Sequence, residues 1–219
     1  MELNRSYNTI FFDLDGTISD SYPGIVNSIV YALNKLDRPV PEEAVLRNFL
    51  GPPLAESFSK YCGMDKAQAF RTVDVYREYY AEKGIFEITI YDGLEDALGE
   101  LKKAGKTLAV ATSKAEPYAI QILEHVGLDK YFDFICGATM DASRVEKPDV
   151  ISYALSKLPG TDPSDVLMIG DRRHDAQGAA AFGLGFIGVL YGFGSRDELA
   201  AAGAKYFAAQ PYDLVRMIL

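Results

Sequence analysis

Short apolar runs alternate with stretches of helical periodicity along most of this chain, and few folds accommodate that pattern. The strand-like runs lie at residues 9–13, 107–112, 132–136, 166–170, 186–190 and, briefly, 206–208. From residue 92 onward the intervals between them are long enough for one helix each. Leu94, Ala97, Leu98 and Leu101 share a helical face, with Asp92 placed to cap that helix and Gly105 to end it. Pro117 opens a helix carrying Ala119, Ile122, Leu123 and Val126, ended by Gly127, and further helices are read at 150–158 and 175–182. Strands separated by single helices build βαβ units, so the expected fold class is α/β with a parallel sheet.

The alternation breaks once, after the first strand. Residues 17–88 hold no convincing strand and read as helix throughout: Ile25, Ile29, Ala32, Leu33 and Leu36 on one face, then helical pieces at 42–49 and 54–61. Ala69, Val73, Tyr76 and Tyr80 form a longer stripe, with Asp65 as its N-cap. These aromatic stripes are read as helix packing. A structureless loop of such length is rare in a compact domain, so the segment is expected to be an inserted helical domain. The expected organisation is a core from 1–16 and 89–219 with a cap at 17–88, the crossings near 16–23 and 87–93 acting as hinges.

Composition narrows the partners. Twenty-two basic against 31 acidic residues give a net charge of -9, and the longest basic run is Arg172-Arg173. Binding to a nucleic acid polymer or an anionic membrane needs a clustered basic face, which is not visible. No apolar run reaches the ~20 residues of a membrane helix, and no basic-then-apolar leader precedes the first strand. Cys62 and Cys136 have no metal-ligand spacing, so buried thiols in a cytoplasmic protein are expected.

Chemistry concentrates at strand ends. Asp13 and Asp15 end the first strand, and Gly16 lets the backbone turn sharply after them. Two acids there form either a hard-cation site or a nucleophile with a general acid. Thr112 ends the next strand, where its hydroxyl and the N–H groups entering the following helix can meet a phosphate oxygen. Glu146-Lys147-Pro148-Asp149 precedes a helix, and the run 166–169 ends in Gly170-Asp171, with Asp175 four residues on.

The sequence Asp-Leu-Asp-Gly-Thr, then strand-Thr, Lys-Pro, and strand-Gly-Asp-x-x-x-Asp, resembles the four motifs of the haloacid dehalogenase superfamily in its phosphatase branch. The continuation through Asp20-Ser21, and Gly51-Pro52-Pro53-Leu54, is similar to its phosphoglycolate phosphatase-like subgroup, which includes 5′-nucleotidases and pyrophosphatases. The resemblance implies a Rossmann-like core with an inserted helical cap, Mg²⁺ as cofactor and a small phosphorylated metabolite as substrate. It implies Asp13 as nucleophile and Asp15 as general acid and base. Mg²⁺ would be held by Asp13, the Asp15 backbone carbonyl and Asp171, with Asp175 acting indirectly. Thr112, Ser113, Lys147 and Gly16 would bind the phosphoryl group, with Lys147 also holding Asp13 ionised. The charge of Arg47, in the helical segment, makes it a candidate cap contact to an anionic or polar leaving group.

Two departures stand out. Val150 replaces a second proline after Lys147, and the last motif reads Gly-Asp-Arg-Arg-His-Asp, leaving Arg172 open and giving His174 a neutral structural role. The alternatives are a sugar phosphomutase, which would want a histidine shortly after Gly16 that residues 16–36 lack, an inorganic pyrophosphatase, and a non-catalytic regulatory module. His125, in the last turn of its helix, complements the helix dipole.

Overall fold

The computed structural model describes residues 3, 5–141 and 143–219. The chain forms two compact units: Asp20–Thr89, and the described part of Met1–Ser19 with Ile90–Leu219.

The larger unit is a six-stranded parallel sheet. Its strands are β1 (Thr9–Phe12), β4 (Thr107–Ala115), β5 (Phe134–Ala138), β6 (Val166–Gly170), β7 (Gly185–Val189) and β8 (Tyr206–Ala208), ordered β5-β4-β1-β6-β7-β8. β1 is thus central, with Phe12 opposite Val110 on one side and Ile169 on the other. After adding β4 and β5 on one side of β1 the chain returns to add β6 on the other, so the strand order switches between β1 and β6, where open α/β sheets bind ligands. Buried on both faces, these strands read as continuous apolar runs.

Helices α5 (Leu94–Lys103), α6 (Glu116–His125), α7 (Lys147–Ser156), α8 (Arg173–Ala181), α9 (Arg196–Ala201) and α10 (Pro211–Ile218) accompany the sheet. One core cluster joins Phe11, Ala109, Ala111 and Met168 from the strands to Val150, Ile151 and Ala154 of α7 and Ala179 of α8. Small residues on α8 let it approach closely: a side chain at Gly178 would crowd Lys147 and Ile151.

The smaller unit is helical: α1 (Tyr22–Lys35), α2 (Glu43–Leu46) with a 3₁₀ turn at Arg47–Phe49, α3 (Leu54–Cys62) and α4 (Lys66–Glu82). Asp65 caps α4 in a reciprocal box with Gln68, as its position before the apolar stripe implies. The stripes pack as core. Tyr76 and Tyr80 stack at 5.2 Å, and Phe49 meets Phe58 edge-on at 5.3 Å. The chain crosses between the units through two paired two-residue strands, β2 (Ser19–Asp20) and β3 (Thr89–Ile90).

Several expected boundaries shift. Gly93, in a left-handed conformation, is the N-cap of α5, and Asp92 is not. α7 begins at Lys147 because Pro148 fits its first turn, so the lysine rides on the helix instead of preceding it. β5 starts at Phe134, since the Asp133 carboxylate is occupied by the Leu108 N–H and Lys102. Helices α9 and α10 were not expected from the sequence; they are short, and Ser195 caps the first. Cys136 is buried and Cys62 only half-buried, both as free thiols. Among the described residues no helix is long and apolar enough to cross a membrane.

Candidate active site

The sheet register brings the singled-out residues of the core unit to one edge. Asp13 follows the last residue of β1, its backbone N–H donating to Ile169 O at 2.9 Å. Asp171 follows β6, the neighbouring strand, and Thr112 lies near the end of β4 on the other side. Parallel strands of matched register make this convergence unavoidable.

Lys147 ties the cluster together from the first turn of α7. Its Nζ lies 2.8 Å from Asp13 Oδ1 and 2.7 Å from Asp175 Oδ1, and donates to Ala111 O at 3.1 Å. The side chain is only 3% exposed. Burial alone would lower the Lys147 pKa, but the carboxylates of Asp13 and Asp175 hold it well above the usual range. Asp175 Oδ2 accepts the Arg172 N–H at 3.0 Å, so both its oxygens are engaged by protein groups.

Asp13, Asp171 and Asp175 are buried, and each offers an oxygen within 4.8 Å of the others. The Asp13 pKa is raised to about 6: burial pushes it up most, Lys147 pulls it down, and Asp175 pushes it up again. Lys147 thus acts on Asp13 in the expected direction, toward the ionised form, while burial and the neighbouring acids act against it. Asp171 is raised well above its usual value by burial and then by Asp175 and Asp13. Its Oδ2 accepts the Phe193 N–H at 2.7 Å, while Oδ1 is buried without a hydrogen-bond partner. An orphaned carboxylate oxygen amid excess negative charge, with oxygen donors only, fits a hard divalent cation.

Glycines permit this close packing. At Gly16, φ is +82°, and a side chain would run into Asp171 Oδ2 and the Phe193 ring. The Gly192–Gly194 stretch after β7 presses on the same acid, since a side chain at Gly194 would strike the Asp171 carbonyl. No side-chain signal in the sequence marks this loop, because its contribution is a backbone N–H.

Thr112 is buried, and its Oγ1 accepts the Lys114 N–H at 3.2 Å. Lys114 itself was missed. Its Nζ sits 2.6 Å from Asp15 Oδ2, and the available signal was its place two residues beyond Thr112 on one strand. Ser113, between them, is half-buried. Arg47 belongs to the other unit, where it pairs with Glu43 at 2.7 Å and lies over the Tyr22 ring at 4.6 Å. Arg172 is drawn to Glu198, with Nε 2.9 Å from Oε1. Burial, then Arg173 and Arg172, lower the His174 pKa, which keeps the ring neutral.

Such an edge can hold a divalent cation and an anionic group beside a carboxylate. Residues 10–189 match the family described as haloacid dehalogenase-like hydrolase. A 5′-nucleotidase of Pseudomonas aeruginosa is 41% identical over 93% of this chain and 91% of its own length. The tyrosine-protein kinase PtkA of Mycobacterium tuberculosis is 42% identical over 88% of this chain, which spans only 65% of that protein. Among solved structures, a predicted phosphatase from Clostridium acetobutylicum superposes with a TM-score of 0.92 at 45% identity, covering 98% of this chain and 99% of its own.

Proposed function

Since the chain belongs to the haloacid dehalogenase-like hydrolases, and is an enzyme of their phosphatase kind, we propose that it hydrolyses a small-metabolite phosphomonoester through Asp13. The observation that carries this reading is the buried cluster of Asp13, Lys147, Asp171 and Asp175 at the switch point of the sheet. Asp13 attacks phosphorus with a carboxylate oxygen, forming an aspartyl-phosphate as the ester P–O bond breaks. Asp15 gives its proton to the departing oxygen. Asp15, now a carboxylate, takes a proton from water, whose oxygen attacks phosphorus and releases inorganic phosphate and free Asp13.

Lys147 and Thr112 hold phosphoryl oxygens, and Asp175 keeps Lys147 in place. Asp13, Asp171 and the Asp15 carbonyl would hold Mg²⁺, which supplies charge neutralisation between anionic nucleophile and anionic phosphate when bound. A nucleoside 5′-monophosphate is the first substrate to try, given the 5′-nucleotidase relative, with phosphoglycolate beside it. The PtkA likeness supports a second reading, phosphoryl transfer to a protein tyrosine.

Phosphate release with and without Mg²⁺ tests the assignment. The panel is nucleoside monophosphates, phosphoglycolate, pyrophosphate and a sugar phosphate, with wild type and Asp13→Asn. Turnover that survives Asp13→Asn defeats the nucleophile assignment. Transfer from ATP to tyrosine without ester hydrolysis favours the second reading, and transfer to a sugar without free phosphate favours a mutase.

A further inference from the structure

A second buried ammonium stands at this sheet edge, and the mechanism above does not use it. Lys114 lies near the end of β4, its Nζ 2.6 Å from Asp15 Oδ2 and its side chain 7% exposed. Pairing between β4 and β5 is irregular between Ala111 and Ala115, the kind of break that re-aims side chains at a strand end. The Lys114 N–H is anchored on Thr112 Oγ1. With Oδ2 taken by Lys114, the other oxygen of Asp15, Oδ1, is buried and has no hydrogen-bond partner among the described residues.

Burying a lysine is costly unless a charge offsets the desolvation. The charges around it show what is offset. Asp13, Asp15, Asp171 and Asp175 bring four carboxylates to this edge. Lys147 and a divalent cation can balance three of them. In the resting site Lys114 balances the fourth, Asp15 taking up the proton it later donates only once the phosphate ester is bound, so a phosphate anion meets a neutral site and not a negative one. Among largely buried side chains a single unbalanced charge acts strongly on an approaching anion.

We propose that Lys114 is a positioning residue that fixes Asp15 by one oxygen and neutralises the site so that a phosphate anion can bind beside Asp13. The proposal rests on the phosphomonoesterase reading above. It predicts shifts of opposite sign for two ligands. A lysine that only supported packing would not produce them.

Titration calorimetry on the full chain provides the test, with Mg²⁺ alone and with inorganic phosphate in saturating Mg²⁺ as probes. In Lys114→Met, phosphate affinity falls about 10-fold while Mg²⁺ affinity rises about 3-fold, because the carboxylates have lost a competing cation. Lys114→Arg, which keeps the charge, returns both affinities to within about 3-fold of wild type. If Lys114→Met fails to fold, Lys114→Gln is measured in its place and read the same way. Weakening of both ligands together, or no change in either, overturns the proposal. A wild type that binds Mg²⁺ but releases phosphate from no ester sinks the phosphatase reading, while the Mg²⁺ arm still decides the charge role of Lys114.

Discussion

Replacing Asp13, the proposed nucleophile, by asparagine should shift stability in the variant's favour as pH rises to neutral in the metal-free protein. Asp13 lies among acids, and burial outweighs the pull of Lys147 to leave its pKa at about 6. A carboxyl raised on folding contributes stability that is fully present below its unfolded pKa and lost as pH rises through its folded one. About two pH units at about 1.4 kcal/mol each amount to about 3 kcal/mol, lost between roughly pH 4 and pH 7. Asparagine has the same shape and cannot ionise, so Asp13→Asn escapes that loss. Urea unfolding in EDTA across this range reads the stability difference between the two proteins. It is expected to move by about 3 kcal/mol in favour of the variant as pH rises to 7.5. Millimolar Mg²⁺ should reverse the trend, because a cation that binds the native carboxylates stabilises wild type by mass action. A difference that stays flat, or moves toward wild type in EDTA, would refute the conclusion that burial and neighbouring acids dominate Lys147.

Other expectations test separate parts of the fold. Gly16→Ala places a side chain at a left-handed position and against Asp171, so thermal unfolding should show a loss of at least about 1–2 kcal/mol, accompanied by weaker Mg²⁺ binding. Asp65→Ala removes the cap of α4 and should cost about 1 kcal/mol in urea unfolding, with Asp65→Asn nearly neutral. Burial pushes the Cys136 thiol up to about 11, so a thiol reagent at pH 8 should label half-buried Cys62 first and reach Cys136 only after denaturation.

Periodicity and punctuation were enough to read the sheet and the helical stretch that follows its first strand, and the resemblance of four short motifs singled out most of the candidate site. Apolar runs of strand length specify buried parallel strands, and acids just after β1 and β6 fall at the sheet edge wherever the chain closes. Asp65, Pro117 and Gly127 announced helix ends because capping and left-handed turns depend on a few adjacent residues. Helices α9 and α10 escaped notice since six- and eight-residue helices carry little periodic signal.

What a single sequence determined, then, was the order of elements and the residue types delivered to each strand end. Which atoms meet there was left to tertiary structure. Lys114 reaching Asp15, the Phe193 N–H holding Asp171, and Arg172 turning to Glu198 are contacts between residues 22 to 99 positions apart. Local propensity has no access to such distances. Protonation followed the same division: the resemblance implied that Lys147 acts on Asp13, whereas the Asp13 pKa was decided by how much water and how many other acids the fold leaves around it.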